Sequence, residues 1–159
     1  MSAPAPPPER RILVVEDEKD IRDVLKELLE SSLSDVRVET AASGVEGLRK
    51  LGTFRPDVII SDYKMPGMTG LDFLEAARAQ APDTPKILMT AFGDLDLAVR
   101  SINEAHIENF FQKPIDPELV VAKLDRILRM QEAHREKEAA LRRGLQALRE
   151  QLAEAEKRP

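Results

Sequence analysis

Two kinds of apolar pattern alternate along the chain. Short solid runs at Arg11–Val15 (RILVV), Asp57–Ser61 (DVIIS) and Lys86–Thr90 (KILMT) contain almost nothing polar between their ends. Such runs predict strands buried on both faces. Between them, apolar residues recur at helical spacing. Ile21, Val24, Leu25, Leu28 and Leu29 predict a helix after the first run. In Val36–Ala41, Val36 and Val38 face one way and Arg37 and Glu39 the other, which predicts a half-exposed strand. A short helix is expected from Ser43 to near Gly52, and another from Gly70 that Pro82 stops. Leu95, Val99 and Ile102 share one face of a further helix. The last strand lies in Ile107–Pro114 (IENFFQKP), and a last helix opens at Asp116–Pro117, with Asp as N-cap and Pro at the first helical position.

Strand and helix thus alternate five times. That order predicts an α/β fold, a parallel sheet with helices on both faces. The three solid runs belong in the centre and the alternating strand at an edge. Strand order 2-1-3-4-5 meets these demands; it is the flavodoxin-like order, whose ligands bind beyond the carboxyl ends of strands 1 and 3.

Composition alters this picture in few places. The chain has 159 residues, 33% of them charged, with a net charge of −5, so a basic nucleic-acid surface is not expected. There are no cysteines, which excludes disulfides, thiolate metal sites and a thiol nucleophile. No apolar run is long enough to span a membrane. The leader MSAPAPPPER has no apolar core of a secretory signal, and its prolines resist helix, so residues 1–10 are read as a disordered leader.

In the expected topology Glu16 and Asp17, Asp62, Thr90 and Lys113 end four strands on one rim. Clustered carboxylates repel, and a hard divalent cation with all-oxygen ligands, Mg²⁺ first and Mn²⁺ second, relieves them. A carboxylate at such a place can attack phosphorus. Phosphoryl transfer asks little more than in-line positioning and cations on the phosphoryl oxygens. The Met65–Gly70 turn (MPGMTG) shapes the loop behind Asp62.

Glu16-Asp17 after strand 1, Asp62-x-x-Met-Pro-x-Met-x-Gly70 after strand 3, Thr90-Ala91 after strand 4 and Lys113-Pro114 after strand 5 together resemble the receiver domain of two-component response regulators, a CheY-like fold. The resemblance spans about Arg10 to Arg129. It implies that Asp62 accepts a phosphoryl group from a histidine kinase or phosphotransfer protein. It implies that Glu16, Asp17, Asp62 and the Lys64 backbone carbonyl hold Mg²⁺, that Lys113 pairs with the phosphoryl group, and that Thr90 moves to bond it. Phe110 takes the place of the switch aromatic, and Lys113–Pro114 that of a cis peptide. The acidic pair is Glu-Asp where the family usually has Asp-Asp, and Phe110 lacks the hydroxyl of a Tyr. A cytoplasmic location follows, with no turnover of an external substrate. His106 is read as structural.

The final helix is too long for such a domain. From Asp116 to about Lys157 there is no interior proline beyond its first turn and one glycine, Gly144. That length is about 60 Å of helix. Leu141, Leu145, Leu148, Leu152 and Ala155 lie alternately four and three residues apart, a coiled-coil seam. Run backward, the register passes Glu138, His134, Gln131 and Ile127 to Leu124 and Val120. The expected organisation is a leader 1–10, a receiver 11–129 and a coiled-coil extension 130–159 that forms a parallel homodimer. Two rival readings are a coiled-coil scaffold with a vestigial receiver, and an aspartyl-nucleophile phosphatase, against which Lys64 stands where such enzymes carry their second Asp.

Overall fold

The computed structural model describes residues 9–94, 96, 99–100, 107 and 109–158. The elements run β1 (Arg10–Val15), α1 (Lys19–Ser32), β2 (Val36–Ala41), α2 (Gly44–Phe54), β3 (Val58–Asp62), α3 (Gly70–Gln80), β4 (Lys86–Ala91), a 3-10 turn at Phe92–Asp94, β5 (Asn109–Lys113) and α4 (Pro117–Glu156). The leader to Pro8 and His106 lie outside the described residues, as do Leu95 and Ile102 of the expected helix after β4; Val99 within it is helical and exposed.

All strand pairs are parallel, in the order β2-β1-β3-β4-β5. The three solid apolar runs are the central strands, and the alternating β2 is an edge, as the pattern predicts. Successive side chains leave the sheet on opposite faces, so each run feeds two cores. Ile12, Val14, Ile60 and Met89 meet Leu25 and Leu29 of α1 and Leu124 of α4. Leu13, Val15, Ile59 and Leu88 meet Leu51 of α2 and Phe73 of α3 on the other face. Val24 is exposed, at the margin of the face that α1 buries.

Local chemistry sets the helix ends. The Ser43 side chain accepts from the Glu46 N–H, and Thr69 and Asp72 form a reciprocal capping box. Asp116 accepts from the Glu118 and Leu119 N–H groups, with Pro117 following it. Helix α2 does not stop near Gly52. It runs on to Phe54, a buried residue, and ends where Arg55 turns left-handed at φ 50°.

Helix α4 is 40 residues long. Val120, Leu124 and Leu128 are buried in the domain's own core, so the backward extension of the leucine register is used up there. Past them the helix is held by polar groups at the amino ends of the strands. Arg10 Nε lies 2.6 Å from Glu132 Oε1, and its terminal nitrogen 3.4 Å from Asp125. Arg135 pairs with Asp57, whose other oxygen accepts the Arg11 N–H at 2.8 Å. Gln131 donates to the Asp83 carbonyl at 3.2 Å. Residues 136–158 are exposed. Among the described residues no helix is long and apolar enough to cross a membrane.

Candidate functional site

The pairing of Val15 with Ser61 places the residues after β1 beside the end of β3. Glu16, Asp17 and Asp62 there each offer a carboxylate oxygen, all within 4.8 Å of one another. Lys113, at the end of β5, reaches across β4 to this group. Its ammonium lies 2.8 Å from Asp62 Oδ1 and 3.4 Å from Glu16 Oε2. Glu16 is fully buried, and Asp62 and Thr90 nearly so.

The electrostatics follow from that crowding. Burial, with the neighbouring Asp62 and Asp17 adding to it, pushes the Glu16 carboxyl up to about 7 against the Glu18 N–H and Lys113. For Lys113, burial disfavours the charge, but the hydrogen bonds and charges of Asp62 and Glu16 outweigh it and hold the ammonium above its ordinary range. The cluster therefore has more acid than the one ammonium neutralises, and every side-chain donor atom in it is oxygen. Such a set suits a hard divalent cation.

Backbone geometry explains the residues after Asp62. Tyr63 N–H donates to the Met89 carbonyl at 3.0 Å, and Gly70 N–H to the Tyr63 carbonyl at 2.8 Å. The loop thus closes tightly on the strand it leaves. A Cβ at position 70 would sit 1.8 Å from the Asp62 carbonyl oxygen, so only glycine fits there. Gly67 adopts φ 78°, the left-handed turn within the loop. The buried Ser61 hydroxyl donates to the Asp62 carbonyl at 3.0 Å.

Of the expected site residues, Glu16, Asp17, Asp62 and Lys113 are brought together, and Thr90 is buried at the end of the adjacent β4. Phe110 is half-buried, packed against the cluster that contains Leu88 and Ile107. Lys64 is exposed, with its ammonium 3.8 Å from Asp94. The Lys113–Pro114 bond is cis. One contributor carried no signal in the sequence. Arg22 on α1 donates to the Glu16 and Asp17 carbonyls at 2.8 and 2.9 Å and fixes the acidic loop from behind; in the sequence it is one more charge on a helix.

Comparison with known proteins gives this arrangement a family. The model of the response regulator receiver domain matches residues 12–125. The chain belongs to that receiver family. It is 38% identical over 115 residues to the DNA-binding transcriptional regulator NtrC of Klebsiella pneumoniae, covering 72% of this chain and 24% of that protein. The chain spans about a quarter of the length of such relatives. Among solved structures, the chemotaxis protein CheY4 of Vibrio cholerae superimposes with a TM-score of 0.69 at 33% identity, over 76% of this chain and 99% of that one. An adenylate cyclase structure from Rhodopirellula baltica gives 0.76 at 29% identity, over 84% and 98%. Most of α4 lies beyond the matched residues.

Proposed function

We propose that this receiver is a Mg²⁺-dependent phosphorylation switch that takes a phosphoryl group on Asp62 from a histidine kinase or phosphotransfer protein in the cytoplasm. The observation that carries this reading is the Lys113 ammonium 2.8 Å from Asp62, within a rim of three clustered carboxylates. Asp62 Oδ attacks phosphorus in line. The bond from phosphorus to the donor atom breaks, its electron pair leaves with the donor, and an acyl phosphate remains. Lys113 neutralises the arriving phosphoryl oxygens and the Thr90 hydroxyl donates to one of them. Glu16, Asp17, Asp62 and the Lys64 carbonyl would hold Mg²⁺, which supplies charge neutralisation of the phosphoryl group when bound. Phe110 is the side chain that changes its packing when Thr90 moves. External substrates are not turned over.

The output of this chain is α4, which pairs with α4 of a second copy in parallel. Leu141, Leu145, Leu148 and Leu152, exposed on one side of it, favour that reading over an isolated helix. With a net charge of −5 on the chain, no direct nucleic-acid contact is proposed for it.

Acetyl phosphate with Mg²⁺ tests the site. Intact-mass measurement is expected to show one added phosphoryl group, removed by hydroxylamine and absent in Asp62→Asn. A wild-type chain that stays unmodified, or an Asp62→Asn chain that is modified equally, refutes the proposal. Sedimentation with and without beryllofluoride measures whether the dimer depends on the modified state.

A further inference from the structure

All the exposed large apolar side chains described on α4 lie along one stripe: Leu119, Met130, Leu141, Leu145, Leu148 and Leu152. Leu119, Met130, Leu141 and Leu152 stand eleven residues apart. Eleven residues make three turns and about 20° more, so this repeat drifts around a helix more slowly than a seven-residue repeat and in the opposite sense. At about 100° per residue, the stripe lies roughly a third of a turn around α4 from the line Leu124, Leu128, Gln131 and Arg135. That line is occupied: Leu124 and Leu128 are buried in the core, Gln131 bonds Asp83, and Arg135 pairs with Asp57.

We infer that the homodimer seam leaves the heptad register of the four leucines upstream of Leu141 and follows this eleven-residue stripe through Lys137, His134 and Met130 to Leu119. This rests on the reading of α4 as a dimer helix and specifies which face meets the second copy. A seam through Gln131, Leu124 and Val120 would put the partner helix where the chain's own sheet already lies. The eleven-residue stripe clears the sheet and brings the two receivers side by side along the first half of α4.

Three features identify the occupant as a second copy. The stripe stays within about a quarter turn over roughly 50 Å of helix, the footprint of another helix bearing the same repeat. Six side chains about half exposed leave on the order of 100 Å² each, so two copies bring about 1,200 Å² together, where stable interfaces begin. The leucine half alone supplies less. In the middle, where the apolar residues lapse, Lys137 lies within the stripe at one edge and Glu138 just outside the other edge. In a parallel two-fold pair, Lys137 of each chain then faces Glu138 of the other at the same level, which gives two symmetric ion pairs.

The chain has no cysteine, so single substitutions report the contact directly. Disulfides form only where Cα atoms come within about 7 Å. Leu148→Cys lies on the seam in either register. Met130→Cys and Lys137→Cys are on the seam only in the eleven-residue register, Gln131→Cys and Glu138→Cys only in the heptad register. All five positions except Gln131 are free of the chain's own receiver, and circular dichroism checks that each variant folds. Mild oxidation without any phosphoryl donor is expected to cross-link the 148, 130 and 137 variants at least fivefold faster than the 131 and 138 variants. Faster linkage at 131 and 138 with linkage at 148 overturns the eleven-residue seam but leaves the dimer. Linkage only near the middle of the stripe indicates an antiparallel pair and overturns it as well. No linkage at 148, with a monomer in sedimentation, overturns both. The phosphoacceptor reading is untouched by any of these outcomes.

Discussion

Glu16 is the residue at which fold and chemistry conflict most. A fully buried carboxylate beside two others is a poor place for a second charge, and its carboxyl is accordingly pushed up to about 7. Because the folded chain holds this proton more tightly than the unfolded one, the contribution to stability is present below the ordinary carboxylate range. It is lost as pH rises through about 7. A divalent cation reverses the preference, since ligation favours the ionised form and releases the proton. The metal-free protein is therefore expected to lose thermal stability between pH 5.5 and pH 8, and saturating Mg²⁺ to raise its Tm much more at pH 8 than at pH 5.5. Glu16→Gln should flatten the pH dependence of the metal-free protein, which separates this group from the other carboxylates. An equal Mg²⁺ effect at both pH values, measured by differential scanning fluorimetry, would count against the account.

At the scale of elements, the sheet depends on how closely α2 and α3 approach each other over β1. Gly44 and Gly47 lie on the α2 face toward α3. A Cβ on Gly47 would meet the Phe73 ring at 2.8 Å and Val15 at 3.0 Å. A Cβ on Gly44 would meet Met68 Sδ at 2.6 Å. The first obstacle is a fully buried ring and a branched strand residue; the second is mainly a flexible, partly buried thioether, with Phe73 Cβ further off at 3.2 Å. Gly47→Ala is expected to destabilise by about 1–3 kcal/mol, even after the gain of alanine's helix propensity. Gly44→Ala should fall within about 1 kcal/mol of the wild type. Urea midpoints compare the two, and equal losses would show that the packing at Phe73 yields. Elements of this kind were largely legible in the sequence. Central parallel strands bury both faces and so read as unbroken apolar runs, and the motif spacing placed Glu16, Asp17, Asp62 and Lys113 on one rim because parallel strands share a carboxyl edge. The end of α2 was not legible, since Gly52 looks like a stop and only the tertiary burial of Phe54 carries the helix past it. Arg22 was not legible either, because its two bonds go to backbone carbonyls, which leave no mark on residue type.

For the whole molecule, the question is how a site at the carboxyl edge of the sheet is joined to a helix that leaves past the amino edge. Lys113 and the first residue of α4 are separated only by Pro114, Ile115 and Asp116, so one end of the helix is tied to the site through the chain. The other tie is the clasp of Arg10 with Glu132 and Arg135 with Asp57. No pattern announces it: its members are far apart in sequence, and each reads as an ordinary surface charge. Asp57 is only 6% exposed, so losing Arg135 leaves a buried carboxylate with the Arg11 N–H as its remaining described partner. If the clasp holds α4 to the sheet past Leu128, removing it frees that segment while the core below stays intact. Arg10→Ala combined with Arg135→Ala is expected to speed amide hydrogen exchange in residues 129–137 roughly tenfold, about 1.4 kcal/mol of local stability. Exchange in β1, β3 and β4 should remain at the wild-type rate. Raising ionic strength should mimic the variant only weakly, because screening acts mainly on exposed charges and the Asp57 carboxylate is not one of them. Unchanged exchange in 129–137 would mean that helix pairing alone orders the segment, and the clasp would then have no part in carrying the state of the site along α4.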